Sequence, residues 1–275
     1  MIPTFNRSFT ITRALDSLQK QTHQKFEVTI IDDGSTDATE SVVQPYLAGN
    51  VKYVRTAHGG TPQAWNLGVK RSKYDHVFLM GDDVMLAPEC LAALSSTAAL
   101  VEDGLGAVAP RLIYTADPTE PYLGKKLSKY ASLQASTGDI AGSFNVGGED
   151  AMEVAILHGY SLVRKEAFFD VGGFDEKTYS GNYYREETDL WLRFRMKSYR
   201  LYYEPKARVY CQKSLMRGGQ WSNVEGSLLA YEYYVLRNHS KFLRKFYGRK
   251  RLLMLPTFAL RRLYTRLTET YDSED

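Results

Sequence analysis

Cysteine is scarce in this chain. There are two in 275 residues, Cys90 and Cys211, with no C-x-x-C spacing. That excludes a zinc ribbon and a disulfide scaffold, and it makes a reducing, cytoplasmic compartment the expectation. Long apolar runs are also lacking. The longest near the C-terminus, Leu252 to Leu260, contains Pro256 and is too short to span a bilayer. No basic-then-apolar leader opens the chain, so a cleaved signal peptide is not expected. Neither G-x-G-x-x-G nor G-x-x-x-x-G-K-[ST] occurs, which disfavours a dinucleotide oxidoreductase and a P-loop NTPase. Internal repeats are absent, and Met1-Ile2-Pro3 leaves room for almost no first strand.

What is present is ordinary globular composition, 44% hydrophobic and 24% charged. It excludes a mostly disordered chain, a collagen and a coiled coil. The length suffices for one large domain with a full core, or two small ones. The net charge of +3 hides an asymmetry. Ten Lys and Arg and no acid lie between Tyr233 and Thr268. The body is therefore mildly acidic, and the basic character belongs to the C-terminal segment.

Apolar runs and helical patterns alternate through the first hundred residues. Ile11, Ala14, Leu15 and Leu18 follow helical spacing, and Phe26 to Ile31 reads as a buried strand. Helices are expected over 36–47, from Thr61-Pro62 with Thr61 as N-cap, and from Pro88 to about Val101. Strands are expected at Val51 to Arg55 and His76 to Met80. This order predicts a largely parallel sheet with helices on both faces, binding ligands at the carboxyl ends of its strands. Beyond residue 103 the pattern loosens. A strand at Gly106 to Tyr114 precedes a long loop over 115–150, a length more often functional than idle. Further on come a strand at Glu153 to Val163, a helix at Arg185 to Lys197, two short strands at 201–203 and 207–210, and helices over 224–247 and 256–270.

Three acidic groups stand out. Asp32-Asp33-Gly34-Ser35-Thr36-Asp37 follows a strand; it suits contacts to a base and ribose, or an Asx turn with helix caps. Gly81-Asp82-Asp83 ends another strand. Adjacent carboxylates repel unless a cation lies between them, so a divalent ion is one reading and a solvated turn the other. Arg185-Glu186-Glu187-Thr188-Asp189 opens a helix, where acids favour the macrodipole and one of them is a candidate general base.

In this order the groups resemble the family 2 inverting glycosyltransferases. Pro3-Thr4-Phe5-Asn6-Arg7 is similar to the opening P-T-[YF]-N-R, and 32–37 to D-D-G-S-x-D. Gly60, Asn66 and Gly68 match a spaced G…N-x-G element. Gly81-Asp82-Asp83 stands at the D-x-D position, and Glu186 to Leu190 resembles E-D-x-D-L. Segments 158–165 and 171–176 look like the acceptor side, and Tyr203-Glu204-Pro205 with Ala207 like Y-x-P-x-A. The likeness covers about residues 2 to 214.

The resemblance implies a GT-A fold, an α/β Rossmann-like and mostly parallel sheet flanked by helices. It divides into a nucleotide-sugar half (1–103), an acceptor and catalytic half (104–215) and a basic helical extension (216–275). It implies a nucleotide-diphosphate donor (UDP-, dTDP- or GDP-sugar), a saccharide or glycolipid acceptor, and Mn²⁺ or Mg²⁺. Pro3, Thr4, Arg7, Asp32, Asp33, Asn66 and Asp82 would bind the nucleotide sugar. Asp83, with Asp82, would hold the metal. Glu187 would be the base, with Glu186 and Asp189 as alternates. His158, Gly159, Tyr160 and Trp191 would meet the acceptor.

Three departures stand against the pattern: Gly81 where a third Asp often lies, Trp65 where Arg often precedes Asn66, and Cys211 beside Gln212 where a metal-contacting His often follows. A catalytically silent nucleotide-sugar or glycan binder is therefore the alternative. A nucleotidyltransferase is a second, and it lacks its Gly-rich, Arg-containing N-terminal loop here. The basic stretch 237–266 suits peripheral contact with an anionic membrane. No nucleic-acid motif accompanies the charge.

Overall fold

The computed structural model describes residues 1–115, 129–212 and 228–269, without the side chains of Thr115, Gln212 and Glu269. Residues 116–128 of the expected long loop, and the start of the basic extension, lie outside the described residues.

The first half alternates as the apolar spacing predicts. Its elements are β1 (Ile2–Thr4), α1 (Ile11–Gln19), β2 (Val28–Asp32), α2 (Thr39–Val43), β3 (Val51–Arg55), α3 (Thr61–Arg71), β4 (His76–Phe78), β5 (Val84–Leu86) and α4 (Cys90–Leu100). A first strand does form, and β1, β2 and β3 pair in parallel. Helix α2 is shorter than expected and passes into a 3-10 turn at Gln44–Tyr46, where Pro45 lacks an N–H. In α3 the cap is Gly60 at φ 92°, with Thr61 already inside the helix.

The second half carries β6 (Leu105–Thr115), the short pair β7 (Ser132–Leu133) and β8 (Ile140–Ala141), then β9 (Met152–Val154) and β10 (Leu162–Arg164). After these come α5 (Lys165–Asp170), α6 (Glu186–Met196), β11 (Arg200–Gln212), α7 (Leu228–Tyr247) and α8 (Arg251–Glu269). Here the sheet is mixed rather than mostly parallel. Its order is β4-β10-β6-β11-β5, and only β6 and β11 run parallel. The single strand expected at 153–163 is two strands, and the turn between them holds His158, Gly159 and Tyr160. The two strands expected at 201–210 are one. Pairing jumps from Glu204–Pro110 to Arg208–Arg111 around Pro205, which has no N–H to donate.

Hydrogen bonds between Met1 and the Phe78–Met80 backbone join the two sheets edge to edge. Consecutive residues then serve opposite faces. Ile30, Phe78 and Val108 pack on one side with Leu15 and Leu94. Ile31, Val77 and Ala107 pack on the other with Phe168, Trp191 and Phe194. Burial on both faces is why the strands read as continuous apolar runs. A third cluster, Tyr179, Phe242, Leu243 and Met254, seats the α7–α8 hairpin on the body.

Candidate active site

A cleft of about 190 Å³ opens at the carboxyl ends of β1, β2 and β4. Its walls come from the loop after β1, the start of α3, the turn after β4, Tyr160 and the start of α6. A larger cavity, about 440 Å³, lies at the amino ends of the same three strands and is remote from these acids.

The turn after β4 carries Asp82 and Asp83. Burial raises both carboxyl pKa values above the usual range, and Asp83 raises Asp82 further, with Arg7 opposing. The Tyr160 hydroxyl donates to Asp83 at 3.2 Å. Gly81 has a steric reason here. A Cβ would stand 2.7 Å from Asp83 Oδ1 and 2.8 Å from the Tyr160 ring, so a third aspartate would displace both.

The acids of α6 stand across the cleft. Glu187 is exposed to the cleft, with the Gly159 N–H near enough to favour its charged form. Desolvation by the surrounding cleft walls raises its pKa to about 7, and the Asp83 charge adds to this. A Cβ on Gly159 would run into this carboxylate. Glu186 is buried, with a pKa well above the carboxylate range from desolvation and the neighbouring Glu187. Among the described residues neither Glu186 Oε2 nor Arg7 Nη1 has a hydrogen-bond partner, although both side chains are buried. Unpaired buried groups are costly, and both residues line the cleft.

Arg185, just before these acids, holds a left-handed backbone at φ 81°, a strained state for a non-glycine residue. Its guanidinium pairs with Asp139 at 2.5 Å, donates to His239 Nδ1 at 3.1 Å and lies over the Tyr184 ring. His239 is thereby left protonated on Nε2, which donates to Thr137 O at 2.8 Å. Burial lowers its pKa to about 4, so it stays neutral. Helix α7 thus braces the start of α6.

The family model for Glycosyl transferase family 2 matches residues 1–160, more than half of the chain. The chain belongs to this family. An uncharacterized glycosyltransferase of Rickettsia typhi is 24% identical over 257 residues, covering 89% of this chain and 71% of that one. The structure of S. aureus TarS 1-349 in complex with UDP-GlcNAc matches with a TM-score of 0.58 and 22% identity, covering 94% of this chain and 70% of that one. GalNAc-T7, solved with UDP, GalNAc and Mn²⁺, matches with a TM-score of 0.66 and 18% identity, covering 86% and 47%. These structures establish the GT-A fold. The chain spans 71% of one curated relative's length, 65% of another's and 11% of a third's.

The other site residues expected from the sequence fall on either side of the cleft wall. Pro3, Thr4, Arg7, Asp33, Asp82, Tyr160, Glu186 and Glu187 line it. Asp33 accepts from the N–H groups of Gly59 and Gly60, each at 2.8 Å, and pairs with His58. Asp32 does not reach it. It is fully buried, accepts from Ser35 N–H and the Tyr53 hydroxyl, and serves the turn. Asn66 braces α3 against the 174–176 turn through Phe174 and Glu176, away from the cleft. Asp189 is fully buried among Tyr179 at 2.8 Å, Arg193 at 2.5 Å and Lys245 at 2.7 Å, an anchor rather than a base. Trp191 is wholly within the core. His158 is buried, donates to Pro110 O at 2.7 Å and accepts from Tyr160 N–H. It therefore shapes the turn that carries Gly159 and Tyr160.

Sequence reasoning missed Asn182 and Tyr183, which also line the cleft. It also missed the pairing of Phe5 and His58 as stacked rings 4.3 Å apart. The Tyr-rich run before Glu186 was the available signal for Tyr183.

Among the described residues no group of three or more His, Cys, Asp or Glu is arranged to hold a metal ion. Cys211 is buried, and burial with the Asp83 charge raises its thiol pKa to about 12. Two adjacent carboxylates with raised pKa values do fit a hard cation that takes its remaining ligands from phosphate and water.

Proposed function

We propose that this glycosyltransferase moves a sugar, with inversion, from a nucleotide-diphosphate donor to a hydroxyl of a saccharide or glycolipid. The observation that carries the reading is the one cleft that Asp82 and Glu187 both line. Glu187 stands close enough to Asp83 for that charge to raise its pKa, which lies near 7, where a general base is most useful. A UDP-sugar is the first donor to test, because TarS was solved with UDP-GlcNAc and GalNAc-T7 with UDP.

In this reading the acceptor oxygen bonds to the anomeric carbon as the bond to the diphosphate breaks. Glu187 takes the acceptor proton, help that contributes about 10²–10⁴-fold. Gly159, lacking a Cβ, leaves that carboxylate its place. Asp83 and Asp82 would hold Mn²⁺ or Mg²⁺, which when bound supplies Lewis-acid neutralisation of the leaving diphosphate. Arg7 adds a fixed positive charge beside them. The Phe5–His58 stack offers a flat face to a nucleobase, and Tyr160 holds Asp83. The segment 237–266 would make peripheral contact with a membrane carrying the acceptor.

Thermal shift against UDP-, GDP- and dTDP-sugars, with and without Mn²⁺, tests donor binding. Nucleoside diphosphate release then tests turnover. Glu187→Gln should keep the shift and lose the release. Unchanged release in that variant moves the base to Glu186. A shift without release from the unaltered chain favours the binding-only alternative.

A further inference from the structure

Helix α8 presents the reverse of an ordinary surface helix. Leu252, Leu253, Leu260, Leu263, Tyr264 and Leu267 are each between 58% and 79% exposed. At about 100° per residue they fall within one arc of about 120° on the helix. The opposite face, with Met254 and Phe258, is buried against the body. The outward face of a helix about 28 Å long is therefore a single apolar stripe. Leu229 and Tyr233 of the neighbouring α7 are exposed as well.

Charge selects the occupant. Arg244, Arg249, Lys250 and Arg251 cluster where α7 turns into α8, beside Leu252 and Leu253. None of the four makes an ion pair among the described residues. A second copy docked with its helix parallel would set this cationic cluster against its like, and one docked antiparallel would leave the four cations without described acids to meet, since none occurs from 233 to 268. Nor is any described helix long and apolar enough to cross a membrane. An apolar stripe flanked by cations on a non-spanning helix suits the boundary of an anionic bilayer.

We propose that the outward face of α8, with the cationic turn before it, lies in the headgroup layer of an anionic membrane. This deepens the membrane-contact part of the proposed function and is independent of sugar transfer, because it is read without donor or acceptor.

Co-sedimentation of the 275-residue chain with phosphatidylglycerol–phosphatidylcholine vesicles, and with phosphatidylcholine alone, is the test. The chain should partition onto the anionic vesicles and much less onto the neutral ones, with partition weakened by high salt. The combined change Leu253→Glu, Leu260→Glu, Leu263→Glu should lower partition at least about tenfold. These side chains point away from the body, so the melting temperature should hold. Arg249→Gln with Lys250→Gln should lower it about fivefold per charge and gives the same reading should the triple change fail to fold. Absence of binding to anionic vesicles overturns the proposal. So does partition unaffected by either variant, or a dimer in sedimentation velocity that the leucine changes dissolve.

Discussion

Gly159→Ala is the most selective perturbation of the cleft. A methyl group there would stand 2.6 Å from Glu187 Cδ, against an ordinary contact of 3.4 Å or more. The carboxylate must retreat by about 1 Å. Gly159 lies outside the left-handed backbone region, and the atom that must move ends a flexible side chain open to the cleft. The fold should therefore lose less than about 1 kcal/mol. The reaction should suffer far more, since a displacement of about 1 Å costs on the order of 10²-fold in rate. The pH profile should move too. The Gly159 N–H favours the charged carboxylate, so weakening it raises the pKa further. A base acts when deprotonated, so the rising limb of the rate profile, near pH 7 in the unaltered protein, should shift to alkaline pH. The assay is diphosphate release from the selected donor across the pH range, with urea melts alongside. Full turnover with an unshifted profile would refute the assignment of Glu187.

Three further outcomes are expected. Arg185→Lys keeps the charge but loses the fork that spans Asp139 and His239, so stability in urea should fall by about 2–3 kcal/mol, with turnover falling alongside; an unchanged midpoint would dismiss the brace. Burial and Asp83 raise the Asp82 pKa above its unfolded value of 3.8, so the stability it contributes is full below that value and is lost as pH rises through the folded one. Asp82→Asn escapes that loss, and its stability relative to the unaltered chain should grow by about 2–4 kcal/mol between about pH 4 and pH 7 in urea melts, and level off above. Trp191→Ala should cost about 3–5 kcal/mol through a core cavity while leaving the acceptor KM unchanged; an altered KM at intact stability would return Trp191 to the acceptor site.

The first half was legible because each strand and helix there is a local pattern. Val28, Ile30 and Ile31 announce a strand whatever surrounds them, and the acids after it mark its carboxyl end. The insertion of β10 between β4 and β6 was not legible, since nothing in Leu162-Val163-Arg164 states its partners. The same limit divides the site residues. Glu187 and Asp189 are neighbours in one acidic turn with equal local claims. Only Lys245, 56 positions later and carried in by α7, turns Asp189 into an anchor. Asp32 and Asp33 are likewise adjacent, and the strand's alternation sends one inward and the other toward the cleft. The resemblance put Trp191 at the acceptor, whereas its helical spacing with Leu190 and Phe194 already pointed it to the core, where it lies.

The contact between Arg185 and His239 has a consequence for protein engineering. One position separates that guanidinium from Glu187, so the proposed base inherits its aim from a histidine about fifty places downstream. A chimera that grafts another C-terminal segment after residue 212 would replace that histidine. Unless the graft restores an imidazole acceptor at the same place, such a hybrid should inherit a folded donor half with a misaimed reaction centre.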